Sequence, residues 1–118
     1  MQHYNVFLER FDKLLSILSK FNKNYKILIA GDFNINILDT SHQTREYVNV
    51  LSSHGMRYLI DVPTRVTPKT ATAIDNFVTN LQNNYCKAST IVTALSDHDG
   101  ILLDLDLRIV NKNPTKVT

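Results

Sequence analysis

Scarcity bounds this chain before any motif does. Of 118 residues a single one, Cys86, is cysteine. No internal disulfide and no cysteine-ligated zinc cluster can form, and a reducing, intracellular compartment is the default. Tryptophan is absent, and glycine and proline occur three times each, too seldom for a collagen-like or low-complexity chain. No apolar run approaches the roughly 18 residues of a membrane span. The first residues show no charged segment leading into an apolar one, so no secretory signal is visible. Neither sign of charge dominates: 13 Lys and Arg face 11 Asp and Glu, a net charge of +2. Charge alone therefore does not point to nucleic acid. The basic residues are scattered, with Lys20, Lys23 and Lys26 early and Arg65, Lys69, Lys112 and Lys116 later. A solvated, mixed-charge surface accounts for them, and a phosphate-contacting stripe is the alternative.

A hydrophobic fraction of 43% is ordinary for a globular chain and enough for one modest core. From about Tyr4 to Phe21, Phe7, Phe11, Leu14, Leu15, Leu18 and Phe21 recur at spacings of three and four, which predicts an amphipathic helix ending near Asn22–Asn24. The run Lys26-Ile27-Leu28-Ile29-Ala30, bounded by Gly31, reads as a strand buried on both faces. A second helix is expected over about Thr44 to His54, with Tyr47, Val50 and Leu51 as its buried stripe and Gly55 as its stop. Arg57–Val62 reads as a brief strand ended by Pro63, Thr64–Thr72 as a loop, and Ala73–Thr79 as a strand. Asn83-Asn84 marks a turn, and another strand lies within Ala88–Ala94. In the last strand Ile101, Leu103, Leu105, Leu107 and Ile109 alternate with Leu102, Asp104, Asp106 and Arg108. Helices leading into strands in this way indicate a layered α/β or α+β fold.

Three segments place acidic, amide and imidazole groups at strand ends. In Gly31-Asp32-Phe33-Asn34 an extended backbone would send Asp32 and Asn34 to the same side. A plain strand-to-loop turn uses the same residue types. In Ala73-Ile74-Asp75-Asn76-Phe77 a carboxylate sits inside an apolar run and needs a partner. That partner is either a structural cation or a histidine ring whose tautomer the aspartate fixes. In Leu95-Ser96-Asp97-His98-Asp99 an imidazole is flanked by two carboxylates and follows a hydroxyl, which suits a metal or a phosphate as well as an ordinary polar loop. His3, His42 and His54 read as surface or structurally satisfied groups.

In this order, GDFN, an Ile-Asp pair within a strand and Ser-Asp-His before a final apolar strand resemble the endonuclease/exonuclease/phosphatase superfamily. Its members include apurinic/apyrimidinic endonucleases and sphingomyelinase-like and inositol-phosphatase-like enzymes. Pro63-Thr64-Arg65-Val66-Thr67 followed by Thr72-Ala73-Ile74-Asp75 looks most like the apurinic-like endonuclease domain of non-LTR retrotransposons. The resemblance covers nearly the whole chain but only the C-terminal half of the family's domain. It implies an α/β (α+β) fold, the C-terminal half of a four-layered, DNase I-like two-sheet sandwich flanked by helices and incomplete at the N-terminus. Residues 1–110 would be that partial domain and 111–118 a flexible tail.

The same resemblance implies a metal-dependent, DNA-nicking phosphodiesterase using Mg²⁺ or Mn²⁺, acting in the nucleus. Asp32 would activate or position the attacking water, and Asn34 would orient that water and the phosphate. His98 would contact the scissile phosphate and Asp75 would hold its ring. The metal set implied is Asp32, Asn34, Asp97 and His98, with Thr64, Arg65 and Ser96 in phosphate or DNA contact. Implied partners are DNA, the missing N-terminal half of the domain, and a reverse transcriptase in the same polyprotein, with no membrane. The family's strand-end asparagine, metal-ligand glutamate and substrate-contacting tyrosine have no counterpart. Glu9 and Glu46 fall on predicted helices, so weak activity or none is expected of the chain alone. Two alternatives stand beside this: a non-catalytic remnant that binds nucleic acid or a partner, and a sibling phosphodiesterase acting on lipid or small phosphate esters.

Overall fold

In the computed structural model, which describes residues 2–21 and 25–106, the early three-four spacing forms helix α1 (Gln2–Leu18), continued by a 3-10 turn at Ser19–Phe21. Strand β1 (Leu28–Asp32), helix α2 (His42–Ser53) and three two-residue strands follow: β2 (Arg57–Tyr58), β3 (Arg65–Val66) and β4 (Ala71–Thr72). Next come β5 (Asp75–Thr79), a 3-10 turn at Asn83–Tyr85, β6 (Cys86–Ile91) and β7 (Gly100–Leu105). The architecture is α+β, with two helices and small antiparallel sheets ordered β1-β5-β2, β3-β4 and β6-β7. No helix among the described residues is long and apolar enough to cross a membrane.

The helices lie on one face of the β1-β5-β2 sheet. Val78, at the centre of β5, pairs with Ile29 on one side and Tyr58 on the other. All three join a cluster formed by Phe11 and Leu15 of α1, Ile35, Tyr47 and Leu51 of α2, and Met56. Phe11 and Tyr47 stack with centroids 6.0 Å apart, and Phe33 packs obliquely on both. Helix α2 begins on Ser41, whose side chain accepts from the Thr44 amide at 3.3 Å, a standard N-cap arrangement. It ends at Gly55, whose φ of 72° is easy only for residues that tolerate the left-handed region. Bonds from Gly55 N to Ser52 O and from Met56 N to Leu51 O close the end in the Schellman pattern.

Several expectations change. Strand β1 starts at Leu28 and is not buried on both faces. Leu28, Ala30 and Asp32 are exposed while Ile29 faces the helices, because β1 is covered on its helix side only. Strand β2 stops after two residues because a side chain replaces the ladder. The buried Asn76 Oδ1 accepts from Leu59 N and Ile60 N at 3.0 and 2.8 Å, and its Nδ2 donates to Ile60 O at 2.9 Å. The expected loop over 64–72 contains the β3-β4 hairpin, with Thr67 Oγ1 accepting from Lys69 N and Thr70 N at the turn. The apolar side of β7, Ile101, Leu103 and Leu105, is only partly covered. The turn expected at Asn22–Asn24, the positions Leu107, Arg108 and Ile109, and the tail lie outside the described residues, as does the Phe21 side chain.

Asn76 fastens β5 to the segment leading toward Pro63, and it is 2% exposed. Removing its amide leaves the buried Ile60 N–H and C=O short of a partner, while Leu59 N keeps its bond to Phe77 O. Asn76→Ala is therefore expected to cost about 3 kcal/mol in urea denaturation. A loss within experimental error would show that this fastening contributes little.

Candidate carboxylate–imidazole site

Antiparallel pairing sets Asp32, the last residue of β1, directly opposite Asp75, the first residue of β5. Past Asp32 the chain turns at once. Asn34 takes φ 55°, and its amide donates to Asp32 Oδ1 at 2.9 Å, an Asx turn. The extended geometry that would have put Asp32 and Asn34 on the same side is therefore absent. Asn34 is exposed and contributes a backbone bond to Asp32, with no hydrogen bond from its amide side chain among the described residues.

The third side chain arrives from the β6-β7 connection. Residues 97–99 run alongside β3: Arg65 and His98 form an antiparallel bridge, Val66 N donates to Asp97 O at 3.0 Å, and Asp99 N donates to Thr64 O. Ser96 shapes the approach, its Oγ accepting from His98 N at 3.1 Å. His98 Nδ1 then meets Asp75 Oδ2 at 2.9 Å. An ionised carboxylate only accepts, so the ring donates from Nδ1 and its Nε2 is left for other work. Ligand atoms of Asp32, Asp75 and His98 all lie within 4.8 Å of one another. The Asp32 member is exposed and Asp75 and His98 are partly buried, so the group is open to solvent on one side.

Electrostatics follow from this crowding. The hydrogen bond to Asp75 raises the His98 pKa above the ordinary histidine value; desolvation opposes the rise, and the charges of Asp75, Asp97 and Asp32 add to it. The other expected members are placed differently. Asp97 accepts from Arg65 Nε at 2.9 Å and approaches His98 Nε2 only to 4.0 Å. Its carboxylate is thus partly neutralised by a guanidinium, and Asp75 stands in its place within the cluster. Thr64 does not reach the surface. It is 0% exposed, and its Oγ1 accepts from Ile74 N and Asp75 N at 3.1 Å each. A hydroxyl enclosed in this way has no face left for a phosphate, so Thr64 is corrected from a substrate contact to an internal brace. Ser96 is exposed but engaged with the His98 backbone, and Arg65 is half-exposed and tied to Asp97.

Two fastenings lay outside the sequence reading. Asn36 Oδ1 accepts from Ala73 N and Leu38 N at 2.9 and 3.1 Å, holding the turn after β1 against the entry to β5. The Thr64 brace is the other. Neither carries a spacing that would reveal it. Among the remaining histidines, His54 Nε2 lies 2.6 Å from Asp12 Oδ1 and His42 Nε2 3.5 Å from Glu46 Oε2. The side chain of His3 lies outside the described residues.

The fold and the site together define a small α+β protein carrying two carboxylates and an aspartate-held imidazole at one sheet edge. No protein-family model, curated protein or solved structure matches the chain.

Because the folded-state pKa of His98 is raised, the Asp75 pairing stabilises the fold fully below the ordinary histidine value. That contribution is lost as pH rises through the raised one. A ring-proton NMR titration is expected to place His98 above an exposed histidine, and Asp75→Asn to move it back down. An unshifted His98 in the native chain would remove the pairing from solution.

Proposed function

We propose that this chain is a divalent-cation-dependent phosphodiesterase module of the DNA-nicking kind, weak on its own. The observation that carries the reading is the Asp75–His98 hydrogen bond with the Asp32 carboxylate within reach of the same ring. Hydrolysis of a phosphodiester needs an aligned water and positive charge on the non-bridging oxygens. Asp32, exposed and directly opposite Asp75, suits the orientation of water. His98, fixed by Asp75 and favouring its cationic form, suits contact with a phosphate oxygen. Asn34, bonded to Asp32, and Arg65, bridged to His98, are candidates for the phosphate or its neighbours.

A divalent ion fits the donor set in part. Two carboxylates beside the His98 ring, all within 4.8 Å, leave several coordination positions to water and to substrate phosphate, as Mg²⁺ or Mn²⁺ sites commonly do. The ring in its cationic form has no lone pair for the ion and supplies charge instead. Asp32 would be the principal ligand, since Asp75 is committed to the ring and Asp97 to Arg65. When bound, the ion would supply charge stabilisation at the phosphate. The shortage of uncommitted carboxylates is the reason for proposing weak activity.

The reading extends to architecture and partners. The exposed side of β1 at Leu28 and Ala30 and the half-covered Ile101, Leu103 and Leu105 suit one half of a DNase I-like two-sheet sandwich, whose other half would cover them. DNA is the proposed substrate, and a nuclear role with a reverse transcriptase in the same polyprotein follows from the resemblance alone. A second reading, a non-catalytic module that binds nucleic acid, is favoured by one observation: Thr64 is buried against backbone amides and Asp97 is paired with Arg65.

Purified chain incubated with supercoiled plasmid is expected to give slow nicking with Mn²⁺ or Mg²⁺, abolished by EDTA and by His98→Ala. In parallel, Mn²⁺ should broaden the NMR signals of Asp32, Asp75 and His98. Broadening without nicking, joined to salt-dependent DNA binding unchanged in Asp32→Ala, would favour the binding module. No broadening and no nicking would sink the enzyme reading.

A further inference from the structure

Thr64 is fully enclosed, and its bonds run to backbone groups. Its amide donates to Thr72 O at 2.8 Å, its hydroxyl oxygen accepts from Ile74 N and Asp75 N, and its carbonyl accepts from Asp99 N. One side-chain atom therefore holds the backbone of Asp75, and the same residue's carbonyl holds the backbone next to His98. The two members of the hydrogen-bonded pair lie 23 residues apart, Asp75 at the start of β5 and His98 in the β6-β7 connection. Thr64 is the residue bonded directly to the backbone on both sides of that gap.

We infer that Thr64 is a positioning residue that sets the Asp75–His98 pair, fixing the start of β5 with its hydroxyl and the 97–99 segment with its carbonyl. The inference deepens the proposed reading of this site. Its primary readout is the His98 ring itself, so it stands or falls separately from DNA cleavage. The reason for a threonine is physical. A valine fills the same space but offers no acceptor, leaving the Ile74 and Asp75 N–H groups unpaired in a buried setting. Relief of that cost requires residues 74–75 to shift, which takes the Asp75 carboxylate away from Nδ1. A serine keeps the acceptor and loses only a methyl group. The body of the sheet is held independently through Asn76 and the β1-β5 ladder, so the loss should stay local.

The test compares native chain, Thr64→Val and Thr64→Ser by NMR, at a pH where the His98 ring is neutral. In the native chain the ring nitrogen shifts are expected to report hydrogen on Nδ1, donated to Asp75. In Thr64→Val they should move toward the Nε2–H form that free histidine prefers, and the Ile74 and Asp75 amides should exchange about tenfold faster. Thr64→Ser should retain the native ring signature. A folded Thr64→Val with an unchanged ring signature overturns the inference, as does a serine variant as disturbed as the valine. Should the valine variant not fold, exchange in the native chain decides. Matched protection of the Asp75 and Asp99 amides supports the brace, and an unprotected Asp99 amide overturns it. The expected ring response in a chain that does not nick DNA leaves the positioning role standing and removes the phosphodiesterase reading.

Discussion

Two carboxylates face each other across an antiparallel pair, and much of the site follows from how that repulsion is met. Asp32 and Asp75 are register partners at the ends of β1 and β5, a placement in which like charges ordinarily destabilise a sheet. Each is given a compensating contact. Asp32 accepts the Asn34 amide, and Asp75 takes the ring N–H of His98. The histidine's preference for its cationic form is the electrostatic counterpart of the same arrangement. A second basic group, Arg65, sits one step away and is occupied by Asp97. Three carboxylates, Asp32, Asp75 and Asp97, thus share two basic groups, with the Asp32 side open to solvent.

Around this pair, the scaffold is held by short polar side chains rather than by long sheet ladders. Asn36 ties the turn after β1 to Ala73, Thr64 ties the chain just after Pro63 to residues 74 and 75, and Asn76 bonds Ile60 beyond the end of β2. Asn80 repeats the pattern at the far end of β5, accepting from Ile27 N at 2.8 Å. With three two-residue strands, backbone pairing alone would leave many buried donors unmet, and these amides and hydroxyls meet them.

That division explains what could be read from the sequence. The three-four spacing placed Phe11 and Leu15 in the core, and Tyr47, Leu51 and the stop at Gly55 followed from the same logic in α2. The alternation over 101–105 also appears as a strand, although its apolar side is only half-covered. Sequence order drew attention to Asp32, Asp75 and His98, which the fold brings within one another's reach. Periodicity is silent about two-residue strands, so β3 and β4 look like loop in the sequence. It is equally silent about whether a hydroxyl faces water or a backbone amide, so no spacing marks Thr64 as buried. Asn34 escaped because a left-handed residue breaks the two-residue alternation on which its orientation was judged.

The contacts that assemble the site join distant stretches of chain: Asp32 with Asp75, Asp75 with His98, and Thr64 with both strand and loop. Chain closures of that span are entropically late events compared with forming α1 or the β6-β7 hairpin. Chemistry at this edge thus belongs to the finished molecule.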